Sequence, residues 1–192
     1  MDVNMRYQQL KEKVNERKDA FTKLMCFLEK ETAWLTAPAS IKYHLCRNQG
    51  LLEHSVNVAE TMLMLRGLLA PELSEESCVI TALLHDLGKA GVAGQPQYLE
   101  NSPSEKQQRY GYSASTPYRF NSEMTYLSVP VRSLYLILPY LTLTQEEAQA
   151  IVYHDGQYVP ENRGVAAKED KLTLLLQYAD NWSGFIKERE NK

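Results

Sequence analysis

The sequence predicts an all-α helical bundle, and three observations carry that prediction. Apolar residues recur at the helical spacing i, i+4, i+7 and i+11 in Leu52, Val56, Ala59 and Leu63. Capping residues open two further helices, at Ser74 and Thr144. Residues 5–31 are rich in helix formers and hold neither Pro nor Gly. At 192 residues the chain is long enough for one well-buried core and short for two. A single structural domain is therefore expected, with a helix in residues 1–36 packed on a main body of residues 37–192.

Each element has its own signal. In residues 5–31 the apolar side chains Leu10, Val14, Phe21, Leu24, Met25 and Leu28 thicken toward the C-terminal half, as in one helix that docks its later turns on a core. Residues 36–40, with Pro38, break it. The amphipathic helix marked by Leu52 ends near Gly67. Ser74, with Glu75 and Glu76 in the first turn, opens an apolar helix that runs to His85. Residues 91–125 carry Gly, Pro, Ser, Asn and several tyrosines with little periodicity, which predicts an irregular insertion or short hairpin over the core. Residues 131–140 are apolar and helical. Thr144 to Glu147 is a capping box for a helix to His154, with Gly156 as its stop. Residues 168–187 form the last helix, with Leu172, Leu175, Leu176 and Ala179 facing inward.

Composition narrows the function classes. The content of 44% hydrophobic and 23% charged residues is that of an ordinary globular protein. A formal net charge of -3 does not support a broad surface for long nucleic acid, but it leaves small phosphorylated substrates open, because a local cation overrides global charge. Cys26, Cys46 and Cys78 form no CxxC pair and read as reduced thiols. Residues 1–18 are polar without an apolar core, and no run approaches membrane-spanning length. A cytoplasmic protein with no membrane partner is expected.

Four residues stand apart: His54, the adjacent pair His85 and Asp86, and Asp180. Each falls in a stretch that reads as buried helix, where a polar side chain is costly unless something satisfies it. A divalent cation would satisfy all four. Neutral imidazoles and carboxylates suit Mn, Fe, Co, Ni, Mg or Zn. Four protein ligands leave positions open for water and substrate, the pattern of a catalytic metal site. Sequential His85 and Asp86 can both face one ion only at a helix end or the turn after it, and Gly88 supplies that turn.

These residues resemble the HD-domain superfamily of metal-dependent phosphohydrolases over roughly residues 37–187. Gly50-Leu51-Leu52-Glu53-His54-Ser55, Leu84-His85-Asp86-Leu87-Gly88-Lys89 and Leu174-Leu175-Leu176-Gln177-Tyr178-Ala179-Asp180 each read like a family motif, in the family's order. The nearest sub-type is the HD domain of bacterial 3′–5′ exoribonucleases and related phage or plasmid proteins. It has a His ten residues before the first ligand, which His44 matches in a stretch resembling HxxxxGGLLEH, with Gln49 in place of the first Gly. His154-Asp155-Gly156 resembles its His-His-Gly segment, with Asp155 replacing one His. Val129 stands where a second-metal His is common, and His154 is the only histidine between the HD pair and Asp180. One metal ion is therefore expected.

The resemblance implies an HD-type hydrolase that cleaves a phosphomonoester or phosphodiester of a nucleotide or short oligonucleotide. His54, His85, Asp86 and Asp180 would hold the ion, and its bound water would attack phosphorus. Lys89 would bind a non-bridging oxygen or pair with a ligand carboxylate. His154 and His44 would orient substrate or protonate the leaving group, and Asp155 would hold the attacking water. Two other readings share the ligand set: a catalytically silent domain that binds metal and nucleotide as a regulatory module, and a helper of a nucleic-acid-processing partner. Elsewhere the plain readings prevail. Arg109, Arg119, Arg132 and Arg163 read as solvated surface charge. Tyr98, Tyr110, Tyr112, Tyr118 and Tyr126 read as packing the insertion onto the core, and Trp182 as core.

Overall fold

Helices dominate the computed structural model, which describes residues 2–112, 114 and 116–189. α1 (Val3–Lys11) and α2 (Lys18–Glu31) lead into α3 (Gly50–Leu69) and α4 (Glu75–Leu84), and a 3-10 turn (Leu87–Ala90) follows. The insertion holds β1 (Tyr98–Glu100), the short α5 (Glu105–Arg109) and β2 (Tyr118–Phe120). α6 (Val129–Ile137), α7 (Gln145–Tyr153), two 3-10 turns (Gly156–Tyr158 and Pro160–Val165) and α8 (Lys171–Trp182) complete the bundle. The chain then widens into a π turn, Ser183–Lys187. The fold is all-α, as expected, and the insertion is a small antiparallel hairpin with Tyr98 opposite Phe120 and Glu100 opposite Tyr118.

The predicted caps close as their chemistry requires. Ser74 accepts a hydrogen bond from the Ser77 amide at 3.3 Å. Thr144 and Glu147 satisfy each other's backbone amides reciprocally. α3 is the central helix and packs on α1, α4 and α8. Its first three turns are buried on most faces, Leu51, Val58 and Met62 as fully as Leu52 and Val56. The amphipathic pattern read from the sequence is thus one stripe of a helix wrapped by its neighbours. One continuous apolar cluster runs from Tyr7 and Leu10 of α1 through Phe21 and Leu28 to Leu176 and Ala179 of α8. No helix among the described residues is long and apolar enough to cross a membrane.

The single helix expected over residues 5–31 is two. The chain breaks between Lys11 and Lys18 without any Pro or Gly, because distant groups stabilise the break. Val14 is buried in the turn. The amides of Asn15 and Glu16 donate to Glu76 Oε2 at 2.7 and 2.8 Å, replacing the helical bonds they give up. Arg17 donates to Glu76 through Nε (2.7 Å) and to both oxygens of Glu147 (2.8 and 2.6 Å). Local propensity loses here to a tertiary ion-pair network. Other single-residue expectations also change. Arg132 is buried, whereas Arg109, Arg119 and Arg163 are exposed as read. Trp182 is 57% exposed, and Tyr110, Tyr112 and Tyr126 stand largely in solvent, so they do not pack the insertion down.

The network around Arg17 makes a stability prediction. Burial raises the affinity of Glu76 and Glu147 for a proton, but Arg17 and the neighbouring amides outweigh it and hold both below the ordinary value of 4.5. Carboxylates with depressed values stabilise the fold above pH 4.5, and that contribution is lost as pH falls through their folded values. Arg17→Met leaves two buried carboxylates unpaired and should cost about 3–5 kcal/mol at pH 7. Urea unfolding of wild type and variant at pH 7 and in acid should show the gap closing in acid.

Candidate metal centre

Three helix segments and one turn converge on a single point. α3 presents His54 one turn from its start, and α8 presents Asp180 from its last turn. α4 ends at His85, still in right-handed helical geometry, and Asp86 bends away at φ -99°, ψ 10°. That bend turns the two adjacent side chains toward the same space. α6 fixes it from behind. Ser133 Oγ accepts from the Gly88 amide at 2.8 Å and shares its hydrogen between the carbonyls of His85 and Val129, both at 3.0 Å. A Cβ at residue 88 would overlap the Val129 carbonyl, so only Gly lets α6 approach this closely. α7 adds His154 as its C-cap.

Hydrogen bonds fix which imidazole nitrogen faces the centre. His85 Nδ1 lies 2.8 Å from the Ala82 carbonyl and His154 Nδ1 2.8 Å from the Ile151 carbonyl. A carbonyl only accepts, so both Nδ1 atoms donate and both Nε2 atoms point inward. His54 Nδ1 donates in the same way to Glu188 Oε2 at 2.9 Å. His54 Nε2 is then 3.1 Å from Asp180 Oδ1 and 3.7 Å from Asp86 Oδ2. His85 Nε2 is 3.6 Å from Asp86 Oδ2 and 3.9 Å from Asp180 Oδ1. His154 Nε2 is 3.5 Å from Asp86 Oδ1. Three overlapping sets of metal-competent atoms result among the described residues: His54 with His85 and Asp86, His85 with His154 and Asp180, and His44 with His54 and Glu188.

The electrostatics follow from gathering two carboxylates, buried Asp86 and half-buried Asp180, at one point. Burial disfavours the charged form of Asp86, yet Lys89, His85 and His154 outweigh it and hold it well below the carboxylate range. Lys89 Nζ sits 2.5 Å from Asp86 Oδ2 and is held above its usual value by that contact. Asp180 is likewise depressed by the histidines around it, His54 foremost, against its own burial. Burial opposes protonation of His54, but Asp180 and Glu188 push its pKa up to about 10. Against the same opposition, Asp86 pushes His154 up to about 9. His85 goes the other way: burial lowers it to about 4 and leaves it neutral.

His85 supplies the fit test for a metal. Its Nε2 is fully buried, has no hydrogen-bond partner among the described residues, and carries a lone pair aimed at two carboxylates. A lone pair so placed costs free energy unless a cation meets it. The donors are nitrogen and oxygen only, which fits the divalent ions expected from the sequence. The centre opens into a cavity of about 180 Å³ bordered by Lys89, Asp155, Tyr158, Asn181 and Phe185.

All eight sequence-predicted residues border this centre, in different ways. His54, His85, Asp86, Asp180 and His154 point their polar atoms into it. Lys89 pairs with the Asp86 carboxylate. Asp155 is half exposed at the mouth, with Oδ2 3.7 Å from His154 Nε2. His44 is displaced: its ring lies 4.8 Å from that of His54, and its Nε2 is 3.8 Å from Glu188. Glu188 is the residue that sequence reasoning missed. It is 6% exposed, orients His54, and accepts from Asn57 Nδ2 at 2.9 Å. Arg6 of α1 in turn donates to Asn57 Oδ1 at 2.6 Å. Glu188 sits in a charged stretch that reads as solvent-facing; the only hint is Asn57, a polar residue one turn after His54.

Neither a curated protein nor a solved structure matches the chain. The family model for the HD domain matches residues 51–182, more than half of the chain and a span that contains the His54, His85, Asp86 and Asp180 set. With those side chains gathered at one point of a helical bundle, the chain belongs to the HD-domain family.

Proposed function

We propose that this protein hydrolyses a phosphomonoester or phosphodiester, of a nucleotide or short oligonucleotide, at one divalent ion held by His54, His85, Asp86 and Asp180. The observation that carries this reading is the buried, donorless lone pair of His85 Nε2 facing two carboxylates at the floor of an open cavity. A divalent ion there supplies a Lewis acid for a phosphate oxygen and lowers the pKa of water.

The remaining roles belong to the chain. Lys89 puts a second cation beside the ligands, so the cavity floor attracts phosphate despite the net charge of -3. His154, with Nε2 3.5 Å from Asp86, would deliver a proton to the leaving oxygen, and Asp155 would orient His154 or hold the incoming water. His44 Nε2 has no protein hydrogen-bond partner and can serve a substrate oxygen at the cavity edge. Tyr158 and Phe185, 85% and 68% exposed on the cavity wall, offer ring faces to a nucleobase. Within the family, His44 and the Gly50 to His54 stretch favour the 3′–5′ exoribonuclease-like branch. A cytoplasmic location accords with Cys26, Cys46 and Cys78 forming no disulfide among the described residues.

One observation favours a second reading, in which the domain binds metal and nucleotide without turnover, alone or as a helper. The Lys89 ammonium already pairs with Asp86 Oδ2, so the charge of one residue that would hold the ion is met without it. Turnover separates the two. Metal-loaded protein should release nitrophenol from bis(p-nitrophenyl) phosphate or phosphate from a nucleotide, and Asp86→Ala should abolish this while retaining the helical fold. Binding without release under Mn, Fe, Co, Ni, Mg and Zn would establish the silent reading. Glu188→Gln should lower metal affinity roughly 10–100-fold, as loss of a carboxylate behind a ligand imidazole does. Metal titration by calorimetry checks that loss.

A further inference from the structure

Arg132 is 3% exposed, yet no carboxylate among the described residues pairs with it. The contrast with the half-buried arginines is sharp: Arg6 forks onto Glu60, and Arg17 onto Glu76 and Glu147. Arg132 instead donates to neutral oxygens, the carbonyls of Gly88 (3.3 Å) and Thr125 (3.2 Å) and the side chain of Gln97. Its Nε is buried with no hydrogen-bond partner among the described residues. Neutral dipoles orient a guanidinium without cancelling its charge, so the site carries an unmet demand for an anion. Burial alone lowers the proton affinity of Arg132, consistent with that demand.

The same side chain lines a groove of about 930 Å³, walled by Phe120, Tyr126, Val129 and Tyr153. Asp155 borders both this groove and the metal cavity, so the two spaces meet there. Through Gly88, Arg132 also touches the turn that carries Asp86 and Lys89. We propose that the Arg132 groove binds a second phosphate of the substrate, adjacent to the one held at the metal centre; this rests on the phosphohydrolase reading above. A planar guanidinium fork suits phosphate oxygens, and the aromatic walls suit the nucleoside between the two phosphates.

Removing Arg132 outright also removes support from the Gly88 turn, so the informative variant is Gln97→Glu. It keeps the side-chain shape and gives Arg132 an internal counter-ion. Thermal unfolding is compared in inorganic phosphate and in chloride at equal ionic strength. Phosphate should raise the midpoint of wild type. Gln97→Glu should melt about 3 °C higher in chloride and lose the response to phosphate. Kinetically, the variant should raise KM about tenfold for the dinucleotide pTpT and leave KM for bis(p-nitrophenyl) phosphate unchanged. Phosphate that stabilises Gln97→Glu as much as wild type would sit at the metal, and would overturn the subsite while leaving the hydrolase intact. No phosphate response in wild type, or equal KM changes for both esters, would overturn it too. A phosphate response lost in Gln97→Glu without turnover of either ester would support the anion site and count against the hydrolase reading.

Discussion

Two carboxylates, Asp86 and Asp180, are brought under the surface to one point, and the surrounding structure answers that charge. Buried carboxylates are tolerated only when paired and hydrogen-bonded. Lys89 and the ring nitrogens of His54 and His154 supply the positive charge. His85 supplies none: it is as buried as the other two rings, but no carboxylate comes within hydrogen-bond distance of its Nε2, so burial prevails and keeps it neutral. That division leaves one lone pair facing the carboxylates without a proton between them, the feature a divalent ion would complete.

The scaffold holds this arrangement from several sides. Ser133 and Arg132 of α6 fasten the turn after α4, and the missing side chain of Gly88 lets them come near. A polar chain from Arg6 through Asn57 and Glu188 reaches His54, so the first helix is tied to the metal centre across the central one. The Arg17 network performs a parallel task on the far side, where it stabilises the break between α1 and α2. Ser133, Arg132 and Glu188 restrain the segments that carry the candidate ligands, and such restraint would lower the reorganisation needed to bind an ion.

What the sequence reveals follows the range of the interaction. His85 and Asp86 are legible because their placement needs only a helix end and Gly88, all within four residues. The caps at Ser74 and Thr144 are legible for the same reason. The break after Lys11 is not, since Glu76 enforces it from some sixty positions away. Arg132 reads as surface because burial depends on how α6 meets the insertion. Glu188 and the exposure of Trp182 depend on how the last turn widens to π geometry, which no local pattern announces. His154 is singled out in the sequence by its likeness to a family His-His-Gly segment; that its Nε2 comes within reach of the candidate ligand atoms of His85 and Asp180 appears only in three dimensions.

The most direct test of the account is a crystal structure of the protein loaded with Mn or Co, with the ion located by anomalous scattering. One anomalous peak within about 2.0–2.3 Å of His54 Nε2, His85 Nε2 and carboxylate oxygens of Asp86 and Asp180 is the predicted result. An ion bound elsewhere, or no ion at saturating metal with those side chains unmoved, would contradict it.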